Sequence, residues 1–289
     1  MCLGDLGRRR AVAYARVSRT AACALYGSGG NGRCGGQRET GGGASGKPRA
    51  TAMALDMSQP SFTTALIVGA GPGLSAALAR RFARSGMRVA LAARNPGKLA
   101  ALCSEINASA YACDVTQQAQ VAQLFADVRA APGEPDVVVY NASGRARGPF
   151  TDLEPAAVAD AIAVSAFGGF LVAQEAARRM LVAGHGAILF TGASASVKGY
   201  AGSAPFAMGK FALRGLAQSL ARELSPKGIH VAHFVIDGGI RSDTYREPPD
   251  RPDSTLDPNA IADAYFHILH QPRSAWTWEI ELRPWVERF

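Results

Sequence analysis

Five residues between an apolar run and a helical pattern carry the clearest chemistry in the chain. Ala65-Leu66-Ile67-Val68 leads into Gly69-Ala70-Gly71-Pro72-Gly73, and Leu74-Ser75-Ala76-Ala77-Leu78-Ala79-Arg80-Arg81-Phe82 comes at once after it. Glycines at a strand-to-helix turn let backbone approach a pyrophosphate, which then sits on the positive N-terminus of the helix. Gly69, Gly71, Gly73 and Leu74 are therefore candidate nucleotide contacts. A Gly-Pro-Gly turn also punctuates ordinary strand-helix units, so the turn needs context.

Context comes from the residues at the ends of the other apolar runs. Arg94-Asn95 succeeds Arg88 to Ala92, and Asp114-Val115 succeeds Ala108 to Cys113. Asn141-Ala142-Ser143-Gly144 comes after Asp136 to Tyr140, Gly192-Ala193-Ser194 after Gly186 to Thr191, and Asp237-Gly238-Gly239 after His230 to Ile236. A last β-rich run covers Thr277 to Leu282. Metal chemistry is not indicated. His267 and His270 share a helix face but lack a nearby Cys or carboxylate, His230 and His233 read as strand residues, and His185 reads as a turn.

The elements that must position these residues alternate. Helical patterns at Leu74 to Ser85, Pro96 to Ile106, Gln117 to Ala130, Pro155 to Ala183 and Ser203 to Ser225 separate the strands. Such alternation implies right-handed βαβ units and a mainly parallel sheet covered on both faces. The expected fold is α/β, a doubly wound Rossmann-like parallel sheet in a single domain over residues 59–289, with ligands outside the carboxyl ends of the strands.

Residues 1–58 stand apart. They carry Arg8, Arg9, Arg10, Arg16, Arg19, Arg33, Arg38, Lys47 and Arg49 against Asp5, Glu39 and Asp56, which accounts for +6 of the formal +8. The basic balance is thus local, and without interleaved aromatics it does not indicate a nucleic-acid partner. An organellar transit peptide, a nucleic-acid arm and a disordered stretch upstream of the true start compete here. The last is favoured, with Met53 or Met57 as the initiator, and a chain beginning at Met57 is expected to keep its stability and activity. The cysteines, Cys2, Cys23, Cys34, Cys103 and Cys113, show no disulfide or zinc spacing, and no unbroken run of about 18 apolar residues suggests a membrane span. A soluble, cytoplasmic protein with no membrane partner is expected.

Taken together, the strand-end residues resemble the short-chain dehydrogenase/reductase family over Ser61 to Phe289. Val68-Gly69-Ala70-Gly71-Pro72-Gly73-Leu74-Ser75 matches the glycine motif with Ser75 in place of its last glycine. Tyr140-Asn141-Ala142-Ser143 matches the NNAG segment, and Phe206-Ala207-Met208-Gly209-Lys210 the YxxxK segment. The resemblance implies that Asp114 and Val115 flank the adenine, that Asn141, Ala142, Gly238 and Ile240 line the nucleotide site, and that the protein is a homodimer or homotetramer acting on a small-molecule substrate. Ala93-Arg94, a cation where an acid would bind a ribose 2′-hydroxyl, favours NADP(H) over NAD(H), although a surface arginine at a strand end is the plain alternative.

The catalytic positions depart from the family pattern. Tyrosine there donates or accepts the substrate proton, and lysine lowers its pKa and holds the ribose. Here Phe206 stands at the tyrosine position, Ser165 at that of the asparagine, and the serine falls on Ala193 or, with a one-residue slip, on Ser194. Lys210 is retained, either as the ribose ligand or as a solvated helix lysine. Ser194 and Ser196 either polarise a substrate oxygen or end a strand, and Tyr200 is the first candidate for a substitute proton donor or else a packing residue. Trp276, Trp278, Trp285 and Phe289 read as one packing or interface cluster, and Arg241 to Leu256 as a specificity segment, a lid or an exposed loop. Two functions fit: an NADP(H)-dependent oxidoreductase acting on a carbonyl, alcohol or conjugated enoyl compound with a non-standard proton donor, or an NADP(H)-binding module without turnover.

Overall fold

A computed structural model describes residues 60–242 and 245–287. The arginine-rich stretch 1–58, Asp243, Thr244 and Phe289 lie outside the described residues.

Seven strands form one all-parallel sheet in the order β3-β2-β1-β4-β5-β6-β7: β1 Thr64–Val68, β2 Arg88–Ala93, β3 Ser109–Ala112, β4 Val137–Tyr140, β5 Gly186–Thr191, β6 Ile229–Ile236 and β7 Glu279–Leu282. The central strands are apolar end to end because both faces are covered, so every residue of β1, β4, β5 and β6 is buried. The order reverses between β1 and β4, which pair with Leu66 opposite Val138, and the crevice at this switch point is where a doubly wound sheet takes its ligand.

Helices α1 Leu74–Arg84 and α7 Pro258–Leu269 cover one face. Leu74, Leu78 and Phe82 recur at helical spacing and pack with Ile261, Tyr265 and Ile268. Helices α3 Gln118–Ala130, α5 Gly168–Ala183 and α6 Ala204–Leu224 cover the other, with Phe125, Val172 and Leu213 fully buried. Full burial of side chains this size contributes about 1.5–3 kcal/mol each. A short helix, α2 Ala100–Ile106, succeeds β2 after one 3-10 turn at Pro96–Leu99, so the stretch expected as one helix is two.

The longest expected helix is also interrupted. Pro155 to Ala183 resolves into α4 Pro155–Ile162, a π-helical turn at Ala163–Phe167, and α5. The cause lies across the chain: the Tyr140 hydroxyl donates to the Val164 carbonyl, and the Ser165 hydroxyl accepts from the Gly144 amide at 3.0 Å. By length and composition this helical stretch, with a mean hydropathy of 1.9, is apolar enough to cross a membrane, although the sequence holds no unbroken apolar run of that length. Leu171, Val172, Ala173, Ala176 and Met180 of α5 pack against the sheet.

The tryptophans do not form the single cluster expected from the sequence. Trp276 stacks on His230 with ring centroids 4.5 Å apart, Trp278 lies under Arg214, and Trp285 is exposed. Trp276 and Trp278 leave the same connecting segment before β7 but meet different neighbours.

Candidate active site

Two adjoining cavities, about 730 and 430 Å³, open at the carboxyl ends of the strands and share Gly69, Gly71, Pro72, Asn141 and Ser143. The glycine turn is built for close approach. Gly69 has φ +84°, and a Cβ on it would stand 2.3 Å from the Ala142 nitrogen, so no other residue fits. At Gly71 and Gly73 a Cβ would meet no protein atom within 4 Å, leaving an open cradle. Helix α1 starts at Gly73 with no side-chain cap and no acid in its first turn, so its first amides face that cradle unpaired by side chains. The donor set suits the diphosphate of a dinucleotide.

Ser75, which replaces the last motif glycine, clamps the turn. Its hydroxyl donates to the Gly69 carbonyl at 3.3 Å and accepts from Asn141 Nδ2 at 2.7 Å. Asn141 Nδ2 also reaches the Gly69 carbonyl at 3.3 Å, tying the end of β4 to the turn after β1. The Asn141 amide is thus spent on the scaffold.

The smaller cavity is lined by Arg94, Lys98, Asp114, Val115 and Ala142. Asp114 Oδ1 accepts from the Thr116 amide at 3.0 Å and its hydroxyl at 2.8 Å; these bonds, with the charge of Arg94, hold the carboxyl below its usual range. Every residue expected to hold the nucleotide, Gly238 and Ile240 included, lies on the wall of one cavity or the other.

The larger cavity carries Phe206 and Lys210 on α6. Lys210 is 3 % exposed and its Nζ donates to the Thr191 carbonyl at 2.6 Å. Burial, with the added charge of Arg145, pulls its pKa down to about 7. Two cations lie over the ring of Phe206, Lys210 Nζ 5.9 Å and Arg145 Cζ 4.7 Å from its centroid. It offers a π face and no proton.

Of the two positions open for the family's serine, Ala193 lines the cavity and Ser194 does not. Ser194 opens a 3-10 turn, Ser194–Ser196, and its carbonyl accepts from the amides of Val197 and Lys198. Ser196 is fully buried: its hydroxyl accepts from the Ala193 amide at 3.1 Å and meets His233 Nε2 at 3.4 Å. His233 Nδ1 reaches Glu279 Oε2 at 3.1 Å, and Arg214 grips both oxygens of Glu279 at 2.6 Å. Burial lowers the His233 pKa to about 4 against the pull of Glu279, so the imidazole is neutral and the carboxylate sets its tautomer. The chain has the outline of a hydrolytic triad, but its serine is sealed. It acts as a latch that fixes the Ala193 backbone on the cavity wall.

Ser165 is fully buried and bound to Gly144 on both its amide and carbonyl sides. Gly209 makes room for it, since a Cβ there would lie 2.6 Å from the Ser165 Cβ. Tyr200 is exposed and lines neither cavity; its ring lies 6.0 Å from Lys198 Nζ, which binds Asp237 at 3.2 Å. Sequence reasoning passed over three residues that do face the larger cavity: Arg145, Arg147 and Tyr245. The two arginines lie just beyond β4, so the strand-end rule that selected Asn141 would have reached them. Tyr245 lies in the specificity segment, its ring so close to Gly239 that a Cβ there would stand 2.3 Å from Cε1.

The sheet order, the switch-point crevice and the glycine cradle define an α/β protein of the dinucleotide-binding class. The sequence pattern of short chain dehydrogenases matches residues 63–251, and the chain belongs to that family. It is similar to the 3-oxoacyl-[acyl-carrier-protein] reductase MabA of Mycobacterium avium, 30% identical over 203 residues that span 70% of this chain and 77% of the relative. Among solved structures it resembles a short-chain dehydrogenase from Rhodopseudomonas palustris at 35% identity and TM-score 0.67, covering 78% of this chain and 100% of the other. A metagenomic short-chain oxidoreductase in complex with NADP is similar at 29% identity and TM-score 0.67, covering 77% and 97%.

Proposed function

We propose that the protein is an NADP(H)-dependent oxidoreductase that moves hydride to or from a small carbonyl, alcohol or conjugated enoyl compound without a tyrosine acid at the usual place. The observation that carries this reading is Lys210, buried on the wall of the same cavity that holds the glycine cradle, with its amine anchored on Thr191. A buried lysine costs stability through desolvation, and a ligand that uses its charge or its hydrogen bonds offsets that cost. The cofactor supplies the hydride; Lys210 supplies donors toward its ribose, and Gly238 and Ile240 line the wall beyond. NADP(H) is favoured by Arg94 and Lys98 at the end of the smaller cavity, next to Ala93 rather than an acid. Hydride addition to a conjugated C=C suits Phe206, because the product enolate takes its proton from water or another side chain.

Three positions favour a second reading, binding without turnover: Ser165 is committed to Gly144, Ala193 offers no hydroxyl, and Phe206 offers no proton. One experiment separates the two. NADPH and NADH are titrated into the protein, and NADPH consumption is monitored over aldehydes, ketones and enoyl thioesters. Tight NADPH binding with turnover of any class supports the enzyme, tight binding without turnover supports the module, and tighter NADH than NADPH binding removes the NADP(H) preference.

The proposed assembly is a homodimer or homotetramer. Phe167 and Phe170, stacked at 6.1 Å, and Met208 and Phe211 are exposed on α5, its preceding π turn and α6, and an apolar surface of this kind suits a second copy. A cytoplasmic location fits Cys103 and Cys113, both free thiols. Residues 1–58 are proposed to be dispensable, so a chain starting at Met57 binds NADPH as the full chain does.

A further inference from the structure

The larger cavity gathers cationic side chains on its wall. Arg145, Arg147, Lys210 and Arg241 line it, and no Asp or Glu does among the described residues. Arg241 is already neutralised by Asp257 at 2.8 Å and Glu247 at 3.6 Å, and Lys210 is anchored on Thr191. Arg145 and Arg147 make no ion pair with a carboxylate among the described residues. They sit on the loop after β4, with Arg145 against Phe206. Arg94 and Lys98, the cations suited to a 2′-phosphate, lie in the other cavity.

Two like-charged guanidiniums on one short loop repel each other: both side chains are exposed at the mouth of the cavity, and the Arg145 pKa is lowered by desolvation and by the charge of Arg147. The Arg145 guanidinium lies over the Phe206 ring, its Cζ 4.7 Å from the centroid. A phenylalanine at this position therefore offers more than the absence of a phenol: its flat face is a platform for a guanidinium that lines the same cavity. A planar fork of donors held that way matches a carboxylate, which accepts two parallel N–H bonds.

We propose that Arg145 and Arg147 form an anion subsite that selects a substrate bearing a carboxylate, with Arg145 stacked on Phe206 as its principal donor. This rests on the reading of the protein as an NADP(H)-binding enzyme of small molecules, and it narrows the substrate class from neutral carbonyl or enoyl compounds to their acidic counterparts. The carboxylate is bound, not transformed, so the subsite can be tested by binding alone.

The test is isothermal titration of crotonate and of benzoate, each beside its neutral amide, into the full chain saturated with NADP⁺. At least one carboxylate is expected to bind about tenfold or more tightly than its amide, and more weakly as salt is raised. Arg145→Met is expected to weaken that carboxylate by about tenfold or more while NADP⁺ affinity stays within about twofold, and Arg145→Lys, which keeps the charge but not the fork, to fall between. Phe206→Leu removes the platform and is expected to weaken the carboxylate while sparing NADP⁺, with circular dichroism confirming that each variant is folded. Amides that bind as well as the acids, no binding of either carboxylate, or an Arg145→Met protein that binds them unchanged would each overturn the subsite. Loss of NADP⁺ rather than carboxylate affinity in Arg145→Met would overturn it too, by assigning the arginine to the cofactor. If the wild-type chain fails to bind NADP⁺, the enzyme reading fails instead, and the same titrations without cofactor still judge the subsite by the same results.

Discussion

The two ends of the crevice are built from opposite kinds of structure. At the glycine turn, backbone does the positioning: Gly69 fits only as glycine against Ala142, and the clamp of Ser75 and Asn141 holds the turn with hydrogen bonds to and across it. At the Phe206 end, side chains from separate elements converge: Lys210 from α6, Arg145 from the loop after β4, Ala193 after β5 and Tyr245 from the specificity segment. The first construction tolerates little change, since moving any atom moves the backbone. The second exchanges side chains on a fixed frame, which is how one fold hosts many chemistries. Ala193 and Phe206 belong to the second kind, and Ser165 is packed behind them on the Gly144 backbone.

The comparison can be broken most strongly at the turn. Gly69→Val forces a β-branched side chain into a positive φ and against the Ala142 backbone, so stability should fall by about 2 kcal/mol or more in urea unfolding, with NADPH binding lost in the same protein. A Gly69→Val protein with native stability would show that the turn is not the rigid end. A smaller effect is expected from Arg94→Ala, which should lower the preference for NADPH over NADH by about tenfold in paired titrations and leave NADH affinity nearly unchanged. Equal losses for both cofactors would assign Arg94 to the scaffold.

Lys210 sharpens the comparison through pH. Its folded pKa of about 7 lies below the usual lysine value of 10.5, so between these values the unfolded chain holds a proton that the folded chain lacks. Stability from this group therefore rises with pH across that window and is flat below it. Lys210→Met should remove that rise, read as the difference between wild-type and variant unfolding free energies from pH 7 to 10 without cofactor. A difference that does not change with pH would place the amine in solvent. The smallest effect belongs to Ser194→Ala, since Ser194 lines neither cavity: NADPH affinity and turnover should stay within about twofold, a size typical of a surface change.

Much of the rigid end was legible in the sequence, because buried parallel strands read as short apolar runs and the residues after them fall at the crevice by topology alone. The end of β4 and the glycine turn were found in this way. Strand edges moved by a residue or two, as at β3 and β7, where pairing rather than composition sets the limits. The π turn was not legible: Ala163-Val164-Ser165-Ala166-Phe167 has the composition of ordinary helix, and the extra residue is demanded by Tyr140 and Gly144 from elsewhere in the chain. The same holds for the serine. Counting from Phe206 left Ala193 and Ser194 open, and the 3-10 turn latched by Ser196 and His233 decides which of them faces the cavity. Arg145 was missed for another reason, since its position over Phe206 is a contact between side chains 61 residues apart in a loop and a helix.

The central proposal is that the glycine cradle and Lys210 hold NADP(H) while Phe206, at the tyrosine position, leaves the reacting end without its usual acid. The direct measurement is carbonyl-dependent NADPH consumption by the Ala193→Ser, Phe206→Tyr double variant, with NADPH affinity measured in the same preparations. The account predicts that NADPH affinity stays within about twofold of wild type while carbonyl reduction rises by about 100-fold, the scale of one general acid restored. A variant that binds NADPH as before and gains no carbonyl activity, or a wild type that does not bind NADPH at all, would contradict it.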